Sequence, residues 1–366
     1  MNFDLSEEQG LLRELVRDFS RKEIAPREAE LEEREEFPGE IIRRLGALGL
    51  LGMNVPAAYG GQPIDSLSQI LVLEELARAS AAVCVIVSVH SSLFCHALTH
   101  FGTEELKRKY LPAAARGELL GAFSLTEANA GSDAMAINTA AVRRGDLFIL
   151  NGRKAWVTNG REAGAVIVFT AAPDPKGRKR LSAFVVEPGF PGFKVTKVEK
   201  KMGLHSSPTA EITLEDCEVP ASNLLGAEGE GAALALNGLD HSRVGIAAQA
   251  VGLGQRALEE AVRYARQREA FGRKIADFQA VQFLLADTAT AVEAARWLTY
   301  RAAVLKDSGR AFAAEAAMAK LFASEAAKRA ADRALQVHGG YGYSREYAVE
   351  RIYRDARVLT IYEGTS

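Results

Sequence analysis

Leu147-Phe148-Ile149-Leu150-Asn151-Gly152-Arg153-Lys154-Ala155-Trp156-Val157-Thr158 is the passage on which the architecture of this 366-residue chain turns. Apolar, β-favouring runs on either side of an Asn-Gly pair predict two strands, 147–150 and 154–158, joined by a type I′ turn. Outward from it, short β-rich runs recur at 166–170, 183–186 and 193–198. Residues 210–214 alternate as a half-buried strand does. Proline and glycine punctuate them all, and this β region ends near Val219-Pro220. Upstream, residues 1 to about 120 read as helical. Ser6 and Gln9 have capping-box spacing, and Leu11, Leu12, Leu15, Val16 and Phe19 are expected to share one face. Pro26 interrupts that pattern. Further helices are expected at 41–48, 67–79 and 82–101, with Gly60-Gly61-Gln62-Pro63 as a loop. Downstream, from about Gly231, alanine-rich helical patterns cover 253–264, 281–305 and 313–337, and Gly309 and Gly339-Gly340 mark helix ends. The order is helical, then β, then helical, with no alternating βαβ pattern.

The length calls for two or three domains. A net charge of −2 with 25% charged residues and no large single-sign block argues against nucleic acid as a partner. The acidic run 30–36 reads as a solvated helix end. Three sparse cysteines, Cys84, Cys95 and Cys217, fit a reducing, cytoplasmic setting without a disulfide framework. No signal peptide is visible at the start. The best membrane candidate, 81–89, is too short to span, so no membrane insertion is expected.

Several stretches could carry chemistry. Glu363, in Ile361-Tyr362-Glu363-Gly364-Thr365-Ser366, is a carboxylate in an apolar, aromatic, glycine-loosened setting, as a buried general base would be; a solvated Glu before a turn is the plainer alternative. Gly252-Leu253-Gly254-Gln255-Arg256-Ala257 imitates a dinucleotide fingerprint but lacks the preceding strand, so close helix packing is expected there. Cys95, His96 and His100 lack an acidic partner and read as buried or cavity histidines, with no metal assigned. The segment 125–133 joins the helical part to the β part, and its backbone N–H groups suit a carbonyl-rich ring or a phosphate; a capped turn explains it equally well. Trp156 and Thr158, two apart on a strand, face one side. They suit a planar cofactor, or alternatively a core Trp with a strand-end Thr.

Taken in order, the stretches 125–133, 155–159, Lys201-Met202-Gly203, 239–249, 266–272, 336–342 and 354–366 resemble the acyl-CoA dehydrogenase family, closest to its short-chain, butyryl-CoA branch. The resemblance implies an α+β multidomain fold: an N-terminal helical domain (1–120), a middle β-barrel-like domain (121–228) and a C-terminal four-helix bundle (229–366). It implies FAD as cofactor, with Phe123, Leu125, Thr126, Gly131 and Ser132 toward the flavin ring and pyrophosphate, and Trp156 and Thr158 beside the ring. Arg268 and Gln279 match residues on the ADP half, and Phe271 is a further cofactor position. Gln336, Val337, Gly339 and Gly340 match a loop that reaches the FAD of a neighbouring subunit, so a homo-oligomer, usually a tetramer, is implied. Thr365 is a further cofactor position, and Ser132, Asp240, Arg243 and Gly364 match contacts to acyl-CoA.

Glu363 matches the catalytic base; the alternative base position of some branches falls here on Ser242, which cannot serve, and this favours straight-chain substrates. The implied reaction takes the pro-R α-proton to Glu363 and the β-hydrogen as hydride to flavin N5, giving a trans-2-enoyl-CoA, with electrons passed on to an electron-transfer flavoprotein. Glutaryl- or branched-chain acyl-CoA dehydrogenation, an oxidase, and a non-catalytic flavoprotein of the same fold stay open as alternatives. Two departures stand out. Ala128-Asn129 replaces a common Pro-Gly, and family members usually continue past the position of Ser366 with a short Gln- and Arg-bearing segment that touches FAD and CoA.

Overall fold

The computed structural model describes residues 4–173 and 176–366. Seven helices open the chain: α1 Glu7–Phe19, α2 Glu28–Glu33, α3 Gly39–Ala47, α4 Ser66–Ala79, α5 Ala81–Ser88, α6 His96–Phe101 and α7 Glu104–Ala115. Ser6 closes the expected capping box: its hydroxyl accepts from the Gln9 N–H while the Gln9 side chain accepts from the Ser6 N–H. The apolar face of α1 is narrower than its sequence suggested. Val16 is buried and Leu12 and Phe19 pack against the core, but Leu11 and Leu15 project to solvent. The acidic run also differs from expectation, because Glu32 is buried and accepts from the His205 and Ser206 N–H groups and the Ser206 hydroxyl.

A π-helical segment, Val89–Cys95, joins α5 to α6, so residues Ala81–Phe101 form one helical run. Its 21 residues contain an 18-residue window with a mean hydropathy of 1.8, long and apolar enough to cross a membrane, which corrects the shorter span read from sequence. The apolar window is nevertheless wholly buried inside the protein. The polar residues that break up its sequence find internal partners: Ser92 donates to the Ser88 carbonyl, Thr99 to the Asn54 carbonyl, and His96 pairs with Asn237.

The middle of the chain builds an eight-stranded sheet from β1 Gly121–Ser124, β2 Ala140–Arg144, β3 Leu147–Thr158, β4 Ala165–Pro173, β5 Lys179–Val186, β6 Phe193–Val198, β7 Thr209–Pro220 and β8 Leu224–Leu225. Their order is β6-β7-β3-β2-β4-β5-β8, with β1 parallel to β4. The Asn-Gly pair is not a turn. Asn151 and Gly152 lie inside β3, which runs unbroken from Leu147 to Thr158. A bulge falls there against β7, and Asn151 exchanges two hydrogen bonds with Asp216 across it. A β-carbon on Gly152 would come within 2.4 Å of the Thr139 hydroxyl, so close approach, not a tight turn, accounts for this glycine. The turn lies earlier, where Gly145-Asp146 joins β2 to β3 in antiparallel register.

Four helices complete the chain: α8 Gly231–Gln267, α9 Gln279–Asp307, α10 Ala313–His338 and α11 Ala348–Ala356. Alanines at 316, 319, 323, 326, 327, 330 and 334 are buried along α10, which lets the helices pack closely. The false dinucleotide fingerprint lies within α8. A β-carbon on Gly252 would sit 2.2 Å from the Glu74 carbonyl oxygen, so this glycine lets α8 lie against α4.

Candidate active site

After α11 and a 3₁₀ turn at Arg357–Thr360, the chain curls back on itself, with Ser366 N–H donating to the Thr360 carbonyl and the Thr365 hydroxyl reaching the same oxygen. Glu363 sits in this curl with φ 49° and Gly364 with φ 97°. The left-handed region is costly for a glutamate, of order 1 kcal/mol or more, and persists only where surroundings enforce it. One enforcing contact is visible: Lys320 of α10 donates from Nζ to the Gly364 carbonyl at 2.6 Å.

Oε2 of Glu363 is shielded from solvent and has no hydrogen-bond partner, and the Glu363 N–H donates to no group among the described residues. Burial pushes this carboxyl up to about 7, against the opposing pull of the Lys320 and Arg243 charges. A solvated Glu before a turn is therefore ruled out. Arg243 of α8 lies against Gly364 and pairs with Asp240 at 2.7 Å. Ser242 is fully buried and its hydroxyl has no partner.

The surroundings of Glu363 are closed on one side. The Tyr362 hydroxyl donates to Gln249, whose amide donates to the Ala81 carbonyl at 2.8 Å. Gly245 packs so near α5 that a β-carbon would lie 2.9 Å from the Ser88 hydroxyl and 3.3 Å from Leu73.

The sheet side is tied to the same helix. Asn159, held at φ 64°, donates from its amide to the carbonyls of Ile86 (3.1 Å) and Gly121 (3.2 Å). That anchors the end of β3, and with it Thr158, on α5, whose Cys84 feels the Glu363 charge. Phe123 lies on β1, with Leu125 and Thr126 just beyond it, and the Ala155 N–H donates to the Thr126 carbonyl. The two sequence stretches singled out for a flavin ring are thus adjacent.

Trp156 is left 59% exposed at φ 59°, which excludes a core role. Gly131 and Ser132 are exposed, and nothing lies within 4 Å of a β-carbon placed on Gly131. A bare indole beside a hydroxyl and an open glycine loop fit a planar ring carrying a pyrophosphate.

The remaining predicted residues form a second group. The Arg268 guanidinium lies 5.6 Å over the Tyr341 ring, and Tyr264 stacks on His338 at 4.2 Å. Residues 336–338 are the last turn of α10 and Gly339-Gly340 open a 3₁₀ turn, so the expected loop is helical, and this helix end and the 268–279 connection are neighbours within one chain. Phe271 is 95% exposed, Arg268, Gln279, Gln336, Gly339 and Gly340 are exposed, and Val337 is buried. No hydrogen bond or ring pair joins this group to the sheet among the described residues.

The His96 and His100 rings lie 4.1 Å apart and the His241 and His96 rings 3.9 Å apart, each pair tilted. Among the described residues no group of His, Cys, Asp or Glu is arranged to hold a metal.

Two buried lysines beside the predicted site residues escaped the sequence reading. Lys320 breaks the buried alanine stripe of α10, one position after Ala319, and a charge on an apolar stripe was the available signal. Lys154 is fully buried and donates to Glu127 at 2.8 Å and to the Leu125 carbonyl at 3.1 Å.

The chain thus runs helical, sheet, helical, with the Glu363 carboxyl shielded in the C-terminal curl and Trp156 exposed at the end of β3. Family models for the N-terminal, middle and C-terminal domains of acyl-CoA dehydrogenase match residues 6–118, 122–217 and 229–366. The chain belongs to the acyl-CoA dehydrogenase family. It is 49% identical over 362 residues to an acyl-CoA dehydrogenase of Bacillus subtilis (strain 168), covering 99% of this chain and 96% of that protein. It superposes on butyryl-CoA dehydrogenase from Megasphaera elsdenii with a TM-score of 0.96 and 43% identity, covering 100% of this chain and 96% of the other. A chain in a solved structure of the electron transferring flavoprotein of Acidaminococcus fermentans matches with a TM-score of 0.97 and 46% identity over 100% of this chain and 96% of that one.

Proposed function

We propose that this protein dehydrogenates a short, straight-chain acyl-CoA between its α and β carbons to the trans-2-enoyl-CoA, with Glu363 as the base. The observation that carries the reading is the shielded, unpartnered Oε2 of Glu363 with its carboxyl raised to about 7. A base poised near neutrality suits removal of a weakly acidic α-proton. The Lys320 and Arg243 charges keep it ionisable despite burial. The undonated Glu363 N–H is available to the thioester oxygen, where charge develops as the proton leaves; such donors are each worth about 3–4 kcal/mol. FAD, when bound, supplies the acceptor for the β-hydride.

Phe123, Leu125, Thr126, Gly131, Ser132, Trp156 and Thr158 would hold the ring end of the cofactor. Arg268, Phe271, Gln279, Gln336, Val337, Gly339, Gly340 and Thr365 would hold the remainder. The exposed surface that carries most of this second group supports its use by a neighbouring subunit, and hence a dimer at least, with the homotetramer usual in the family as the proposed assembly. Ser132, Asp240, Arg243 and Gly364 would contact CoA. The Tyr362–Gln249–Ala81 bridge and the tight Gly245–Ser88 approach pack the curl and α8 closely against α5, which supports a short acyl chain. Electron-transfer flavoprotein is the proposed acceptor, and three buried, unbridged cysteines accord with a cytoplasmic setting.

Anaerobic bleaching of the flavin across an acyl-CoA series from butyryl to palmitoyl, with isovaleryl and glutaryl included, tests the reading. Fastest bleaching with butyryl-CoA is expected. Bleaching by long chains alone would overturn the substrate assignment, and none with any thioester would overturn the activity.

A further inference from the structure

Lys320 is 3% exposed, in the middle of an alanine-packed helix, where a lysine is tolerated only with a compensating partner. Among the described residues its ammonium donates one hydrogen bond, to the carbonyl of Gly364, the residue after Glu363, at 2.6 Å. That contact joins α10 to a curl whose two central residues both hold positive φ. We propose that Lys320 is a positioning residue for the proton-abstraction step: it clamps the Gly364 carbonyl, so fixing the strained backbone that aims Glu363, and its ammonium is the counter-charge of the Glu363 carboxylate. The inference rests on Glu363 being the base.

The charged and titratable groups around the pair are few. Arg243, itself paired to Asp240, faces it from α8; Cys84 comes from α5, Glu325 from α10, and Tyr362 from the same curl as Glu363. Burial lowers the Lys320 ammonium to about 8, with Glu363 holding it up and Arg243 pressing it further down. Lys320 and Glu363 each favour the other's charged form, and Arg243 acts on both. A mere prop would need only the hydrogen bond. A counter-charge must also move the titration of Glu363.

Three variants separate these roles. Lys320→Gln keeps a donor for Gly364 and removes the charge, Lys320→Met removes both, and Lys320→Arg keeps the charge. Two readouts are taken on each. One is the pH profile of the flavin-bleaching rate with butyryl-CoA in the FAD-loaded protein. The other is an infrared titration of the Glu363 carboxyl, with Glu363→Gln subtracted, which needs no turnover.

In Lys320→Gln the acid limb and the infrared midpoint are expected to move up together by about one pH unit, because an opposite charge has been withdrawn. Lys320→Arg should keep the wild-type midpoint. Lys320→Met should add a fall in the high-pH plateau of about tenfold or more, since misplacement of a reacting group is not rescued by pH. A Lys320→Gln protein whose infrared midpoint stays at the wild-type value overturns the proposal, even if Lys320→Met fails to fold. Absence of bleaching in the wild type would instead strike the proposed activity, and the infrared comparison would still decide the role of Lys320.

Discussion

Replacing Lys154 with Met tests how the loop 125–139 is fixed. The Lys154 side chain is completely buried in β3, and its ammonium meets Glu127 Oε1 at 2.8 Å. The same carboxylate accepts from the Asn138 N–H (2.7 Å), the Thr139 N–H (2.9 Å) and the Thr139 hydroxyl (2.6 Å). This knot ties residues 125–139 to the strand that carries Trp156 and Thr158. Burial alone would raise the Glu127 carboxyl, but the hydrogen bonds from Lys154, Thr139 and Asn138 override it and bring it from 4.5 down to about 2. Burial brings Lys154 down from 10.5 to about 8 against the pull of Glu127.

A depressed carboxyl stabilises the fold above its unfolded pKa, so Glu127 contributes about 3 kcal/mol at neutral pH, lost as pH falls from 4.5 toward 2. A depressed lysine costs a similar about 3 kcal/mol below pH 8, relieved as pH rises from 8 to 10.5. The pair is close to break-even at pH 7, as buried ion pairs commonly are.

Removing one partner is different: Lys154→Met leaves a buried carboxylate with neutral donors only, at a cost of about 3–5 kcal/mol. Urea unfolding followed by tryptophan fluorescence at pH 7 measures it, alongside FAD retention through gel filtration. The double variant Lys154→Met/Glu127→Gln should recover most of the loss, with a coupling of about 2 kcal/mol or more. A single variant within about 1 kcal/mol of wild type, or a purely additive double variant, would refute the reasoning.

Glu363→Gln should abolish turnover and also stabilise the protein in a pH-dependent way. A carboxyl raised from 4.5 to about 7 gives stability that is present below 4.5 and lost as pH rises through 7. Thermal melts should therefore show the variant up to about 3 kcal/mol more stable than wild type at pH 8 and equal to it near pH 4.5; a gap independent of pH would contradict the burial argument. Gly252→Val should cost about 3 kcal/mol in urea unfolding, because its β-carbon would meet the Glu74 carbonyl at 2.2 Å and force α8 from α4. Gly10→Ala in α1, where nothing lies within 4 Å, should instead stabilise by about 0.5–1 kcal/mol.

Periodicity and punctuation carried the order of elements on their own. Local physics sets the capping box of α1, the glycine ends of α9 and α10, and the strand Phe193–Val198, and each forms where its residues predict. The ordered set of short motifs likewise carried the family and singled out Glu363 by residue type. Asn151-Gly152 could not be read locally, because the same pair serves a turn or a bulge, and the pairing of β3 with β2 and β7 selects the bulge. The helix over 82–101 was legible, but its extent as an apolar stretch was not, because Ser92, His96 and Thr99 look polar in sequence, while their partners lie on other segments or a turn away. Nor does any local pattern state that Glu363 is raised to about 7. That value depends on burial among α5, α8 and α10, and on Lys320 and Arg243, which lie 43 and 120 positions away along the chain. Sequence determined which residues could do chemistry; the packing of three helices around one curl decided the charge, strain and solvent exposure of Glu363, because desolvation and Coulomb fields depend on distance in space and not along the chain.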